Sequence, residues 1–351
     1  DIKRIVEPVK EAGKFVSDEL NPVLKEEMYM ARTAQRTKDF TTDELLPLTQ
    51  AMRLNKVPLE RMDKYLHARH VIRDKVNAHL QVINPDLAGT PAFDKLSGIS
   101  DAEAKAILDS ENAQIMEPLA KRVDAIVEKT RDLMTAYGLE KEETIATWRK
   151  LYRAYVPLRR EGFEEEGHPT GTGRSVRGTT EKDRAGSALG VSNILANIAQ
   201  TRDQIITRGE KQRPVIAMAG LLMQYPNPEI ATLDKPAQIT TVDPATGLSM
   251  TVPGDLANYT VPRVRRYNAA TGVVESVPDP SYKGRDNVVN FRINGEDYAI
   301  VFNERNERAM EAAKSFKELG TAKLTGVMAA VAPYTRYLAS INTQYNPIFG
   351  I

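Results

Sequence analysis

Asp63, His67, His70 and Asp74 follow one another at steps of four, three and four residues, which puts two imidazoles and two carboxylates on one face of a helix. Such a face could hold a divalent cation, because ligands from successive turns can converge on one point. No glutamate stands in a His-Glu-x-x-His arrangement to act as a general base. A solvated polar face with pairs four residues apart is therefore favoured, and a metal-dependent hydrolase using His67 and His70 is kept as an alternative.

The run Gly167-His168-Pro169-Thr170-Gly171-Thr172-Gly173-Arg174-Ser175 has the look of a phosphate-binding loop. Its glycine spacing is one residue too long, arginine replaces the lysine, and Glu164, Glu165 and Glu166 precede it where a buried strand would be needed. Three carboxylates beside a phosphate would repel it. Paired acids elsewhere, such as Glu26-Glu27 and Glu142-Glu143, lie in polar runs that offer no apolar surroundings to raise a carboxyl pKa. His168 is the only histidine beyond His79, so no Ser-His-Asp set can be assembled.

The densest basic cluster is Arg174, Arg177, Lys182 and Arg184, followed by Arg202, Arg208, Lys211 and Arg213. Of these, Arg174, Arg177, Arg184, Arg202, Arg208, Lys211 and Arg213 are the candidate nucleic-acid contacts; binding through them would be sequence-independent and salt-sensitive. Asp183, Asp203 and Glu210 dilute the patch, and a solvated helix face is the favoured alternative. Arg263, Arg265 and Arg266 form a smaller patch beside Tyr259 and Tyr267.

The elements that would position these groups are mostly helical up to residue 162. Thr41-Thr42-Asp43-Glu44 reads as an N-terminal cap before Leu45, Leu48 and Met52. Pro58 opens the next helix, with Leu59, Met62, Leu66 and Val71 on its apolar stripe. Ser100-Asp101-Ala102-Glu103 reads as another cap-like start, with the acid three residues on from Ser100, and Ile115, Leu119, Val123, Ile126, Thr130, Leu133 and Tyr137 trace the clearest helix, which Gly138 ends. A further helix carries Trp148 toward the stop at Pro157.

Residues 163–190 read as a flexible Gly/Ser/Thr-rich linker. Helix resumes near Asn193, and Pro214 is expected to break or kink it before an apolar stretch from Val215 to Tyr225. From residue 229 to 303 the texture is β. The firmest element there is a hairpin, Val288–Ile293 and Glu296–Phe302 about the turn Asn294-Gly295, with one buried side. A last apolar helix is expected from Leu324 to Ile341. The fold class is α+β, mainly α: a long-helix bundle with a small antiparallel β subdomain near residues 229–303, divided as 1–162, the linker 163–190, and 191–351.

The chain of 351 residues carries a formal charge of +1, which gives no global drive toward nucleic acid or anionic lipid. With no cysteine, disulfides and thiolate chemistry are excluded. No apolar run reaches the roughly 18 residues needed to span a bilayer. The opening Asp1-Ile2-Lys3-Arg4 and the apolar ending Asn346–Ile351 suggest a segment of a longer polypeptide.

Several blocks occur in an order that resembles one family. They are Asp63 to His70, Gly98 to Ala104, Trp148 to Leu158, Gly190 to Gln200, Ile206 to Lys211, the Asn287–Gly295 hairpin and Asn342 to Phe349. Together they resemble the helical-plus-β module of large polyvalent proteins of bacteriophages and other mobile elements, described by a Pro-Leu-x-Arg-Phe-Gly motif. Pro157, Leu158, Arg160 and Gly162 match that motif, and Glu161 stands in place of its aromatic residue. The resemblance implies a domain of a very large phage protein that is packaged in the virion and delivered into the host cell with the genome.

The expectation is thus a non-catalytic structural and interaction module, found in the virion and then in the host cell. It would need no cofactor. Its partners would be other domains of the parent protein or other virion proteins, with further copies of the chain or DNA as additional ones. The DNA-binding alternative would serve antirestriction or host takeover.

Overall fold

The computed structural model describes residues 2–158, 173–176, 194–234, 238–242, 249–253, 263–268, 273–278 and 284–318. The chain has a mainly helical α+β fold with antiparallel sheet, as its residue patterns indicate. It divides into two compact units. One, here the helical unit, comprises Ala31–His168, Thr179–Thr207 and Thr325–Ile351; the other, the mixed unit, comprises Asp1–Met30, Pro169–Gly178 and Arg208–Leu324. These units are built from discontinuous stretches of chain, unlike the sequential division expected from composition.

The helical unit contains α3 (Tyr29–Phe40) from Ala31 onward, α4 (Leu46–Leu54), α5 (Leu59–Arg73), α6 (Val76–Ile83), α7 (Asp101–Ser110), α8 (Ala113–Ala136), α9 (Glu142–Leu151) and the start of α10 (Ile194–Gln224), as far as Thr207. Its main core gathers Leu48, Met52, Met62, Leu66, Met116, Leu119, Val123, Ile126, Leu195 and Ile198. α5 lies at its centre, with ten of its fifteen residues buried.

Two local signals read from the sequence are present. Ser100 and Glu103 make a reciprocal capping box at the start of α7, and Gly138 (φ +67°) follows α8 in the left-handed conformation. The cap expected at Thr41–Glu44 is not one. Thr41–Leu45 is a π-helical turn joining α3 to α4, in which Thr41 and Thr42 donate their hydroxyls to the carbonyls of Thr37 and Lys38. Threonine can bond back along a helix as readily as cap it, so sequence alone does not separate the two.

The mixed unit contains α1 (Lys3–Glu11), α2 (Pro22–Glu27), most of α10, strands β1 (Ala231–Asp234), β2 (Gln238–Val242), β3 (Ser249–Pro253), β4 (Arg263–Asn268), β5 (Val273–Pro278), β6 (Val288–Ile293), β7 (Glu296–Phe302) and helix α11 (Glu307–Lys317). β1, β7 and β6 form an antiparallel sheet in that order, and β2–β3 and β4–β5 are separate antiparallel pairs. The expected hairpin is in register, Phe291 opposite Tyr298, with Asn294 and Gly295 both at positive φ in its turn.

One side of that sheet packs Val289, Phe291, Ile300 and Phe302 against Ile2, Ile5, Val6, Met218, Leu222 and Phe316. The sequence pattern implies one buried side, and on the other side Val288, Asn290, Arg292, Ala299 and Val301 are buried as well. Residues 173–176 explain part of this. Arg174 N donates to Phe316 O, Val176 N donates to Asn290 O, and the Ser175 hydroxyl accepts from Asn290 N. Gly173 has φ +55°, and a methyl group there would overlap the Lys317 backbone, so this strap needs glycine.

Pro214 does not end α10, which runs unbroken through it. Val215, Met218, Ala219, Leu221 and Leu222 pack into the mixed unit's core, and that burial outweighs the backbone hydrogen bond proline removes. The described part of the expected linker is this strap. The rest of 163–190 and the helix expected at 324–341 lie outside the described residues.

Candidate binding pocket

The polar face of α5 is not solvated. Asp63, His67, His70 and Asp74 are 8%, 6%, 0% and 9% exposed, so each must find a partner inside the protein. Each does. Asp63 accepts from Ile194 N at 3.0 Å and Leu195 N at 3.1 Å, which caps the first turn of α10 from outside. His67 Nε2 lies 3.0 Å from the Ser97 carbonyl oxygen, to which it donates. His70 Nδ1 lies 2.7 Å from Asp74 Oδ2, while Asp74 Oδ1 accepts from Arg153 N at 2.8 Å and Ala154 N at 3.1 Å.

These groups therefore tether backbone rather than converge on an ion. Among the described residues, no cluster of three or more His, Asp or Glu is arranged for a metal. Charged partners extend the same role. Arg69 makes a bidentate pair with Asp124 at 2.7 and 2.6 Å, and Tyr65 and Arg73 both donate to Glu117 at 2.6 Å. Burial opposes ionisation of Glu117, but the Tyr65 phenol, Arg69 and Arg73 outweigh it and hold its pKa below the ordinary value.

The chain that Asp74 tethers forms one wall of a cavity of about 400 Å³ in the helical unit. Trp148 of α9 and Tyr152, Tyr155 and Pro157 after it make this wall. α6 contributes Val76, His79, Leu80 and Ile83, and α8 contributes Val127, Thr130, Arg131 and Met134. Ile198 and Thr201 of α10 complete the described lining. The aromatic rings brace one another: His79 meets Tyr152 edge-on at 6.0 Å, and Tyr152 and Tyr155 are 6.3 Å apart.

Two polar groups of the lining are already engaged. Arg131 donates to Glu128 and to the Tyr152 carbonyl, with its guanidinium 5.4 Å from the centre of the Tyr155 ring. The Thr130 hydroxyl donates to Ile126 O at 2.8 Å. What remains open is mainly hydrocarbon and ring surface, suited to an apolar group. Trp148, Tyr152 and Tyr155 stand at steps of four and three in the sequence, an aromatic spacing at the end of the helix expected before Pro157.

The basic residues expected to meet nucleic acid do not share one environment. Arg174 is 1% exposed, paired with Glu26 at 2.8 Å and lying over the Tyr29 ring; Arg202 is 3% exposed, paired with Glu44 at 2.6 Å and lying over Phe40. Neither faces water where a phosphate could reach it, so for these two the solvent-facing patch is corrected. Arg208, Lys211 and Arg213 are half-buried, Arg213 pairing with Glu210 at 3.3 Å. Burial, then the nearby charges of Arg208 and Arg174, lower the Lys211 pKa. Arg177 and Arg184 lie outside the described residues, as do Lys182, Gly167 and Gly171.

Two acids acting on α10 give the helical unit a pH signature. Burial pushes Asp63 and Asp203 up to about 6, opposed at Asp63 by the Leu195 and Ile194 amides and at Asp203 by Thr37 and Arg202. Each binds its proton more tightly folded than unfolded. Its charge therefore weakens the fold above pH 6, and this penalty fades as the pH falls from about 6 toward 4. Asp203→Asn should be more stable than the parent by about 1–2 kcal/mol at neutral pH. The gap should close by pH 4, as read from urea midpoints across that range.

Among the described residues no helix is long and apolar enough to cross a membrane. No family model, curated protein or solved structure matches the chain.

Proposed function

We propose that the chain is a non-catalytic interaction module that holds a partner through the pocket walled by Trp148, Tyr152 and Tyr155. The observation that carries this reading is a contrast within one unit. The acids and histidines on the polar face of α5 are tied to backbone amides, carbonyls and each other, while the cavity nearby presents mostly apolar and aromatic side chains, His79 among them. Acid–base chemistry needs a group within reach of a substrate; adhesion needs a shaped apolar surface.

On the resemblance of its sequence blocks, the module belongs to a large polyvalent phage protein that travels in the virion and enters the host with the genome. Its partners are then other domains of that polypeptide or other virion proteins. Mass spectrometry of purified virions should find peptides of this chain in the particle. Particles free of it would remove the packaging and ejection part of the proposal.

A further inference from the structure

Resting on that reading, we propose that the pocket's partner is an acidic peptide segment which inserts one aromatic or branched aliphatic side chain. The charge around the cavity carries this choice of occupant. Residues 75–83 and 148–158, which supply the α6 and aromatic walls, contain Lys75, His79, Arg149, Lys150 and Arg153 and no aspartate or glutamate. Lys75, Lys150 and Arg153 are exposed, and none makes an ion pair among the described residues.

The acids of α8 and α9 do not pair with them. On α8, Glu128 is held by Arg131 and Arg149, and Asp132 by Arg149. Glu142 and Glu143 sit in the first turn of α9, at the opposite end of that helix from Leu151. An apolar hole framed by unpaired cations selects a ligand with an apolar anchor and negative flanks.

Surface beyond the hole favours a peptide over a small amphiphile. Ile83 and Leu151 are each 51% exposed and Val82 is 80% exposed, so the two framing elements also offer apolar contacts outside the cavity. A nucleic-acid strand could use the cations and rings, but Val76, Leu80, Val127 and Ile198 give the cavity an aliphatic lining that suits a branched side chain better than a stacked base.

The test is a selection from a randomised displayed peptide library on the full chain, followed by binding measurements with synthesised winners. Two variants accompany it: Thr201→Phe, which fills the pocket, and the surface triple Lys75→Glu, Lys150→Glu, Arg153→Glu, each checked for folding by thermal melts. Winners should be acidic, carry an aromatic or branched residue, and lose about tenfold or more in affinity to both variants. An empty selection, winners without acidic bias, or displacement of the winners by dodecanoate or oligothymidylate with equal or better affinity would overturn the assignment. Winners that bind both variants as well as the parent would also overturn it, while leaving an interaction module that uses another surface. Particles without the chain would remove the virion reading and leave the pocket untouched.

Discussion

Asp74→Ala should destabilise the helical unit by about 3–5 kcal/mol, among the largest effects of any single truncation in it. The side chain of Asp74 is 1% exposed and serves three groups at once: His70 Nδ1, Arg153 N and Ala154 N. Truncation takes a hydrogen-bond partner from a buried imidazole and from two backbone amides, one buried and one part-buried, and each such loss costs free energy. It also releases the segment from Tyr152 to Pro157, so the pocket's aromatic wall should loosen with the fold. Denaturant midpoints give the energy. Amide exchange at Arg153 and Ala154 gives the location, and protection there should fall further than in α7.

Arg202→Ala should cost about 3 kcal/mol, through a pairing unlike that of Arg213 on the same helix. The two arginines lie eleven residues apart on α10 and read alike in sequence. The structure separates them: Arg202 is itself buried, with Glu44 and over Phe40, while Arg213 retains 35% side-chain exposure and reaches a Glu210 that is fully buried. Removing Arg202 strands Glu44, whose side chain is 12% exposed and whose remaining cation, Lys129, is 3.7 Å away. Burial also lowers the Arg202 pKa, a sign that its charge is held against a desolvation penalty. The double variant Arg202→Met, Glu44→Leu should therefore recover most of the loss. A double-mutant cycle by chemical denaturation checks this: additive single effects would mean that the pair is not coupled.

Local chemistry was legible in the sequence, and environment was not. Ser100 with Glu103, Gly138, and Asn294-Gly295 each specify backbone geometry through atoms a few residues apart, so they could be read directly. The step pattern of Asp63, His67, His70 and Asp74 was equally plain, but whether that face meets water depends on Ser97, Arg153 and Ile194, which come from distant parts of the chain. The same limit explains the arginines: nothing near Arg174 in sequence announces Glu26 or Tyr29.

The units followed the same rule. Ile2, Ile5 and Val6 join a core with Phe291, Ile300 and Phe316, a closure across nearly the whole chain that no periodicity reveals. The pocket was the hardest feature to foresee, because its walls come from four helices and one loop. Its sequence trace was the spacing of Trp148, Tyr152 and Tyr155 within an acid-free stretch.

Trp148 is the only tryptophan in the chain and lines the cavity, so its fluorescence reports on this site alone. Titration of the folded protein with anilinonaphthalene sulfonate, an apolar ring system bearing one negative charge, should quench that emission by energy transfer. Saturation is expected at a single dye per chain, with the signal lost in Thr201→Phe and weakened when Lys75, Lys150 and Arg153 are reversed in charge. Non-saturating transfer, or identical curves for parent and variants, would contradict a pocket built to receive an apolar, anionic partner.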